Sequence, residues 1–308
     1  MPTAALGRHG GQAAAGRFAV HDGDTWFLPR FGFVAGTSYT LLIDDAPAGT
    51  IVCPAPPASG PPAVVAGLHP TAGRVPVNLL RVYVTFSRPM GEGRARSAVT
   101  LRDAGTGDVL RGAFLDMDPE LWDPERRRLT LLLDPGRIKR GLAGHERAGY
   151  PLVEGRTVVL EVSTAWRDAD GRPLGAGAQR RYVVGPPVRR RIDPAAWAVG
   201  APAAGTREPL TVGFDRPLDR GLLEHALSVR DAAGDPVGGV AAIDDGEAAW
   251  RFTPARPWAA AEHRLAAKAL LEDLAGNSLR RVFDRDLTRA ADDPLDLDEV
   301  QRPFTPRR

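Results

Sequence analysis

The chain has 308 residues, 43% hydrophobic and 25% charged, a globular composition that excludes a disordered or fibrous protein. Net charge is +2, and 38 of the 40 basic residues are arginine. Together with abundant Ala, Gly and Pro, this is the codon bias of a GC-rich genome rather than a phosphate-binding surface, so no nucleic-acid partner is expected. No stretch approaches the roughly 18 to 20 apolar residues of a membrane span, no apolar core of an export signal lies within residues 1–17, and the single cysteine, Cys53, has no internal disulfide partner.

In chain order, residues 1–17 carry no periodic pattern and are expected to be disordered. Residues 18–60 hold a partial domain and a stiff linker, the linker marked by five prolines between Pro54 and Pro62. Residues 61–186 open with Leu80, Val82, Val84 and Phe86 in period-2 alternation, a half-buried strand that Arg88-Pro89 ends because proline cannot donate to a ladder. A short segment, a strand over Val99–Asp103 and a turn at Gly107-Asp108 follow, then strands over Leu129–Pro135 and Gly155–Val162 and a turn at Asp168–Gly171. A boundary at Gly185–Arg191 leads to residues 187–289, where the same order returns: Leu210, Val212 and Phe214, then Leu227–Asp231, Gly234-Asp235, Trp250–Pro254, Glu262–Ala267 and Asp273–Gly276. Residues 290–308, charged and proline-punctuated, read as a mobile tail.

The order returns because the sequence does. Phe86-Ser-Arg-Pro-Met90 recurs as Phe214-Asp-Arg-Pro-Leu218, and Arg167-Asp-Ala-Asp-Gly-Arg-Pro-Leu174 recurs as Glu272-Asp-Leu-Ala-Gly-Asn-Ser-Leu279. The middle copy is the longer, its extra residues assigned to loops around Asp116–Glu125 and Ile138–Pro151. A half copy precedes both: Phe27-Leu-Pro29 matches Phe252-Thr-Pro254, and Val34–Leu41 matches Val153–Leu160. Many short strands with turn signals every 8 to 12 residues predict an all-β protein of tandem Ig-like antiparallel β-sandwiches. Half a sandwich leaves open edges, so either a segment upstream of Met1 completes the first domain or these strands join their neighbour; the first is favoured, with residues 18–53 expected to be the least well packed strands. Phe86 and Phe214 are expected at equivalent inward positions.

An apolar strand ending Phe-x-x-Pro, a strand ending in Asp with a Gly turn, a Phe-x-Pro and a closing Asp-Leu-Ala-Gly-Asn resemble the bacterial Ig-like domain of SbsA type. The resemblance covers roughly 62–289 in two copies and 18–53 as a half copy, and the middle copy departs from it with Asp-Gly-Arg at 170–172. It implies a non-enzymatic spacer or adhesive module of the cell envelope or of secreted proteins, with a cell-surface polymer or protein as partner. The family has no catalytic residues to transfer.

The residues offer three candidate chemistries. Asp168 and Asp170 begin like a calcium loop, but Arg172-Pro173-Leu174 supplies no further oxygen ligand, so a turn is expected. The acidic cluster Asp116, Asp118, Glu120, Asp123 and Glu125 has the carboxylates of a glycosidase, yet it runs into Arg126–Arg128 as a self-neutralising loop would. Trp122 in that loop could stack on a sugar, with Asp118 and Asp123 beside it, or anchor the loop to the sandwich. Hence two alternatives stand beside the spacer: a carbohydrate- or surface-polymer-binding module using Trp122, Asp118 and Asp123, and a hydrolase in the middle-domain insertions. The six histidines are scattered singly, with no zinc spacing, nucleophile elbow or Walker loop. Neither metal nor cofactor is expected.

Overall fold

The computed structural model describes residues 2–3, 13–54, 60–244 and 246–308. Most of residues 1–17 and of the linker Pro54–Pro62 therefore lie outside the described residues. The first strands are β1 (Gly16–His21), β2 (Asp24–Pro29), β3 (Ser38–Ile43) and β4 (Ala46–Val52). Next come β5 (Val65–His69), β6 (Arg74–Pro76), β7 (Arg81–Phe86), the helical turn α1 (Ala95–Ala98), β8 (Val99–Asp103), β9 (Leu121–Trp122), β10 (Arg128–Leu132), the short helices α2 (Pro135–Ile138) and α3 (Ala143–Ala148), β11 (Thr157–Val162) and β12 (Ala178–Gly185). The last group is β13 (Ala198–Gly200), β14 (Leu210–Gly213), α4 (Arg220–Ala226), β15 (Leu227–Arg230), β16 (Gly239–Ile243), β17 (Ala249–Pro254), β18 (His263–Lys268) and β19 (Glu299–Phe304). The fold is all-β, built of small, mainly antiparallel sheets that pack as Ig-like sandwiches. No helix among the described residues is long and apolar enough to cross a membrane.

The chain forms two compact units, one from Met1–Leu68, Val82–Leu132 and Val158–Arg181, the other from His69–Arg81, Leu133–Thr157 and Tyr182–Arg308. In the first, β7, β10 and β9 lie in one sheet, and β8 pairs with β11, Leu101 opposite Leu160. Alternation puts Val82, Val84 and Phe86 into the core, where Phe86, Trp122 and Trp166 form a ring triangle with centroids 5.1 to 5.9 Å apart. In the same unit β1 pairs only with β2, and β3 only with β4, among the described residues. These hairpins are mostly exposed: every residue of β4 faces solvent, and Phe18, Val20 and Trp26 are more than half accessible.

The second unit holds a sandwich with sheet order β13-β14-β17-β16 against β15-β18-β19. Leu210 and Val212 of β14, Trp250 and Phe252 of β17, Val229 of β15 and Leu265 of β18 meet in its core. The expectation of a mobile tail over 290–308 is corrected here. β19 runs antiparallel to β18, His263 opposite Phe304, and the Phe304 ring packs edge-on against Trp258 at 5.7 Å. The run is charged because one face of an outer strand meets water, while Phe304 on the other closes the core.

Phe86 and Phe214 make corresponding backbone bonds, their N–H groups donating to Arg127 and Ala248 carbonyls at 2.8 Å, but their burial differs. Phe86 is 4% exposed, whereas Phe214 is half-buried at the rim of its core, edge-on to Trp197 at 5.0 Å. Equal cost on truncation is therefore replaced by an unequal pair. Phe86→Ala is expected to cost ~3 to 5 kcal/mol and Phe214→Ala about half of that. Urea unfolding of the two variants checks this, and equal losses would contradict the assignment.

Candidate functional site

The residues that recur in the sequence meet one another in space. At the end of the second unit's sandwich, Asp273 is buried, and its Oδ1 accepts the N–H groups of Ala275 and Asn277 at 2.9 and 3.0 Å. Asn277 Nδ2 donates to both oxygens, and Arg216 Nε, from the Phe-x-Arg-Pro motif, donates to Oδ2 at 2.9 Å. Burial pushes the Asp273 carboxyl up, while Arg216 and the Asn277 bonds pull it back. The motif and the turn thus form one clasp. Gly276, at φ +80°, lets the turn close: a Cβ there would lie 2.4 Å from Leu80 Cδ2.

The first unit builds the same clasp with different side chains. Asp168 Oδ1 accepts from the N–H groups of Asp170 and Arg172 at 3.0 and 2.9 Å, and its Oδ2 accepts from Arg172 Nε at 3.1 Å. Arg172 also donates to Asp170 Oδ2 at 2.8 Å, and Arg88 reaches the same oxygen at 3.3 Å. Arg172 takes over the task of Asn277, which accounts for the Asp-Gly-Arg departure. Its guanidinium stands against the oxygens a calcium ion would need. Among the described residues no group of three or more His, Cys, Asp or Glu side chains is placed to hold a metal ion.

The acidic loop does not assemble the ligand platform of the carbohydrate-binding alternative. Trp122 is 4% exposed, held in the ring triangle, with its indole N–H donating to Glu120 Oε2 at 2.8 Å. An indole so enclosed offers no face to a sugar, so the anchor reading replaces the stacking one. Asp123 caps its own turn, its Oδ1 accepting from the N–H groups of Arg127 and Arg128 at 2.7 and 2.9 Å. Asp118 stands exposed, and Asp116 pairs with Arg96 on the surface. Trp122, Asp118 and Asp123 therefore point to separate tasks. Sequence reasoning placed Glu120 in a solvated cluster and missed its burial: it accepts from the N–H groups of Gly93 and Ala95 at 3.0 and 2.8 Å besides the indole. Its signal was its place at the entry to β9, two residues before Trp122, whose indole it binds. Beside this loop a cleft of about 510 Å³ is walled mainly by aliphatic side chains such as Leu101, Leu110 and Leu129.

Glu247 and Glu92 also have displaced titrations. In the second unit Glu247 is fully buried at the turn before β17, at φ +50°. Burial alone would raise its pKa, but His69 Nδ1 at 3.1 Å and the Thr71 and Ala72 bonds outweigh it, so the carboxyl is held below its ordinary value. In the first unit Glu92 is pushed up to about 7 by burial, with Glu120 adding to the rise against Arg126 and Arg30.

No model of a known protein family and no curated protein matches the chain. Among solved structures it is similar to native alpha-2-macroglobulin from Escherichia coli, domains MG0-NIE-MG1, at 10% identity and TM-score 0.27, over 80% of this chain and 72% of that one. It is also similar to Rst D1-D2 at 9% identity and TM-score 0.21, over 80% and 99%. A third likeness is to L,D-transpeptidase 3 from Mycobacterium tuberculosis at 16% identity and TM-score 0.22, over 68% and 79%. Likenesses of this size leave function to be argued from the chain's own residues.

Two measurements test these assignments. Gly276→Val forces a side chain into a left-handed turn and against Leu80, and is expected to lower stability by more than ~1 kcal/mol in urea melts; an unchanged midpoint would mean that the turn relaxes. For Glu92 the folded-state pKa lies above the ordinary value, so its contribution is fully present below about 4.5 and is lost as pH rises through about 7. Wild-type stability should therefore fall between pH 5 and 8 relative to Glu92→Gln, and parallel pH profiles of the two proteins would refute the shift.

Proposed function

We propose that this chain is a non-catalytic spacer or adhesion module of the bacterial cell envelope, built of tandem Ig-like domains of SbsA type, with a cell-surface polymer or protein as its partner. The observation that supports the reading is where the recurring residues go. Arg216, Asp273 and Asn277 in one copy, and Arg88, Asp168, Asp170 and Arg172 in the other, bind one another and the backbone of their own turn. What the two copies share is chemistry that keeps a sandwich closed, which is the requirement on a module that carries load or holds something at a distance. The long acidic loop follows the same rule, since Glu120, Trp122 and Asp123 serve its anchoring.

Fractionation of the source bacterium tests the reading. The chain is expected in the envelope or secreted fraction, and protease added to intact cells should degrade it. Recovery from the cytosol alone, protected from that protease, would overturn the proposal.

A further inference from the structure

The two N-terminal hairpins are built like hairpins found elsewhere in the chain. Gly16 lies opposite Pro29 as Gly239 lies opposite Pro254. A Cβ at Gly16 would stand 2.4 Å from the Phe27 ring, and one at Gly239 2.5 Å from the Phe252 ring. Past each proline the N–H of Arg30 or Ala255 donates across to Ala15 or Gly238 at 2.8 Å. By these contacts β1–β2 corresponds to β16–β17. In the same way β3–β4 corresponds to β11–β12: the N–H of Gly36 donates to Cys53 at 2.7 Å and that of Gly155 to Val184 at 2.9 Å, while Thr37 donates to Val34 and Arg156 to Val153, both at 3.2 Å.

Their surroundings differ. β17 has β14 on its far side and β11 has β8, each antiparallel. β2 has no strand there among the described residues, and on β3 only Pro2 bridges Tyr39. With the hairpin closed by the His21–Asp24 pair, alternation turns the backbone polar groups of Thr25 and Phe27 away from β1, towards the open edge. Leu41 and Ile43 stand where Leu160 and Val162 are buried; together with Phe18, Val20 and Ile51 they are 48% to 75% exposed.

We propose that β2 is a dimerisation edge, to which β2 of a second copy of this chain adds antiparallel across a two-fold axis, making a continuous sheet of four strands. Three observations select a second copy. A two-fold axis sets a strand antiparallel to itself, which is the direction β14 takes on β17, so the edge accepts its own copy without rearrangement. The strands that take the neighbouring role, β7 and β14, are already engaged in sheets, whereas among the described residues no strand lies on the far side of β2. Antiparallel pairing also carries Asp24, at the start of one β2, towards Arg30, just past the end of the other. On β2 itself Trp26 and Leu28 are 55% and 41% exposed, so the junction has apolar side chains of its own to bury. The contact is isologous and stops at two.

Sedimentation velocity of the full chain over on the order of 1 to 100 μM tests this. The wild type is expected to dimerise. Thr25→Pro removes an outward N–H without touching the β1 ladder, and Trp26→Lys sets like charges close together on the two paired β2 strands; each should raise the dissociation constant about tenfold or more with an unchanged melting temperature. Should Thr25→Pro unfold the hairpin, Trp26→Lys still decides. A wild type monomeric throughout, or a dimer that Trp26→Lys leaves intact, overturns the proposal. So does a monomer that binds a synthetic peptide of the Leu79–Phe86 sequence, because the edge would then belong to a strand from another polypeptide.

Discussion

Buried carboxylates that bind backbone N–H groups are what the ends of these sandwiches depend on. Strands satisfy one another's polar groups, but the turns and crossings between them leave N–H groups inside with no ladder to join, and each unsatisfied one costs about 1 to 3 kcal/mol. Asp168, Asp273, Glu120 and Glu247 supply the missing acceptors, and each is nearly inaccessible. A lone buried charge would cost several kcal/mol, so the acids are tolerated only because several donors converge on each. Arg216 completes the set for Asp273, Arg172 for Asp168, and the Trp122 indole for Glu120.

This arrangement explains why the acid-rich segments resemble active sites in sequence and act as fasteners in space. A carboxylate needs the same convergence of donors whether it caps a turn or polarises a substrate. What separates the two uses is whether an acceptor oxygen remains directed at open volume. On Asp123 one oxygen holds two N–H groups of its own turn, and on Glu247 both oxygens are bonded to the Thr71 backbone.

The strands that alternate strictly were legible in the sequence. β7 and β14 could be read from Val82, Val84 and Phe86 and from Leu210 and Val212, because period-2 patterning is fixed by the pleat itself. The clasps were half legible: the recurring Asp and Gly marked turns, but nothing local says that an arginine about 57 residues earlier in the chain will close one of them. β19 was hidden because an outer strand buries few side chains, and Arg302-Pro303 beside Phe304 reads as a breaker when its partner β18 is unknown. Glu120 and Glu247 were hidden for a related reason. Charge predicts exposure unless the donors that neutralise it are in view, and those of Glu120 come from 25 and 27 residues away. Trp122 was left between two readings by the same loop: charged neighbours suggested solvent, and only its place in the core selects the anchor.

The glycines beneath Phe27 and Phe252 carry a consequence for how these hairpins can err. A two-stranded ribbon with an exposed face has little to stop one strand from sliding against the other, and a slide of one position exchanges the two faces. At Gly16 and Gly239 the ring of the opposite strand fills the space where a Cβ would be. A slipped pairing drives that ring into Ala15 or Arg17 in the first hairpin, and in the second a slip one way drives it into Val240, while the other way meets Gly238. The aromatic ring over a bare backbone therefore works as a ratchet tooth, rejecting slips in both directions in the first hairpin and in one direction in the second before the rest of a sandwich has formed.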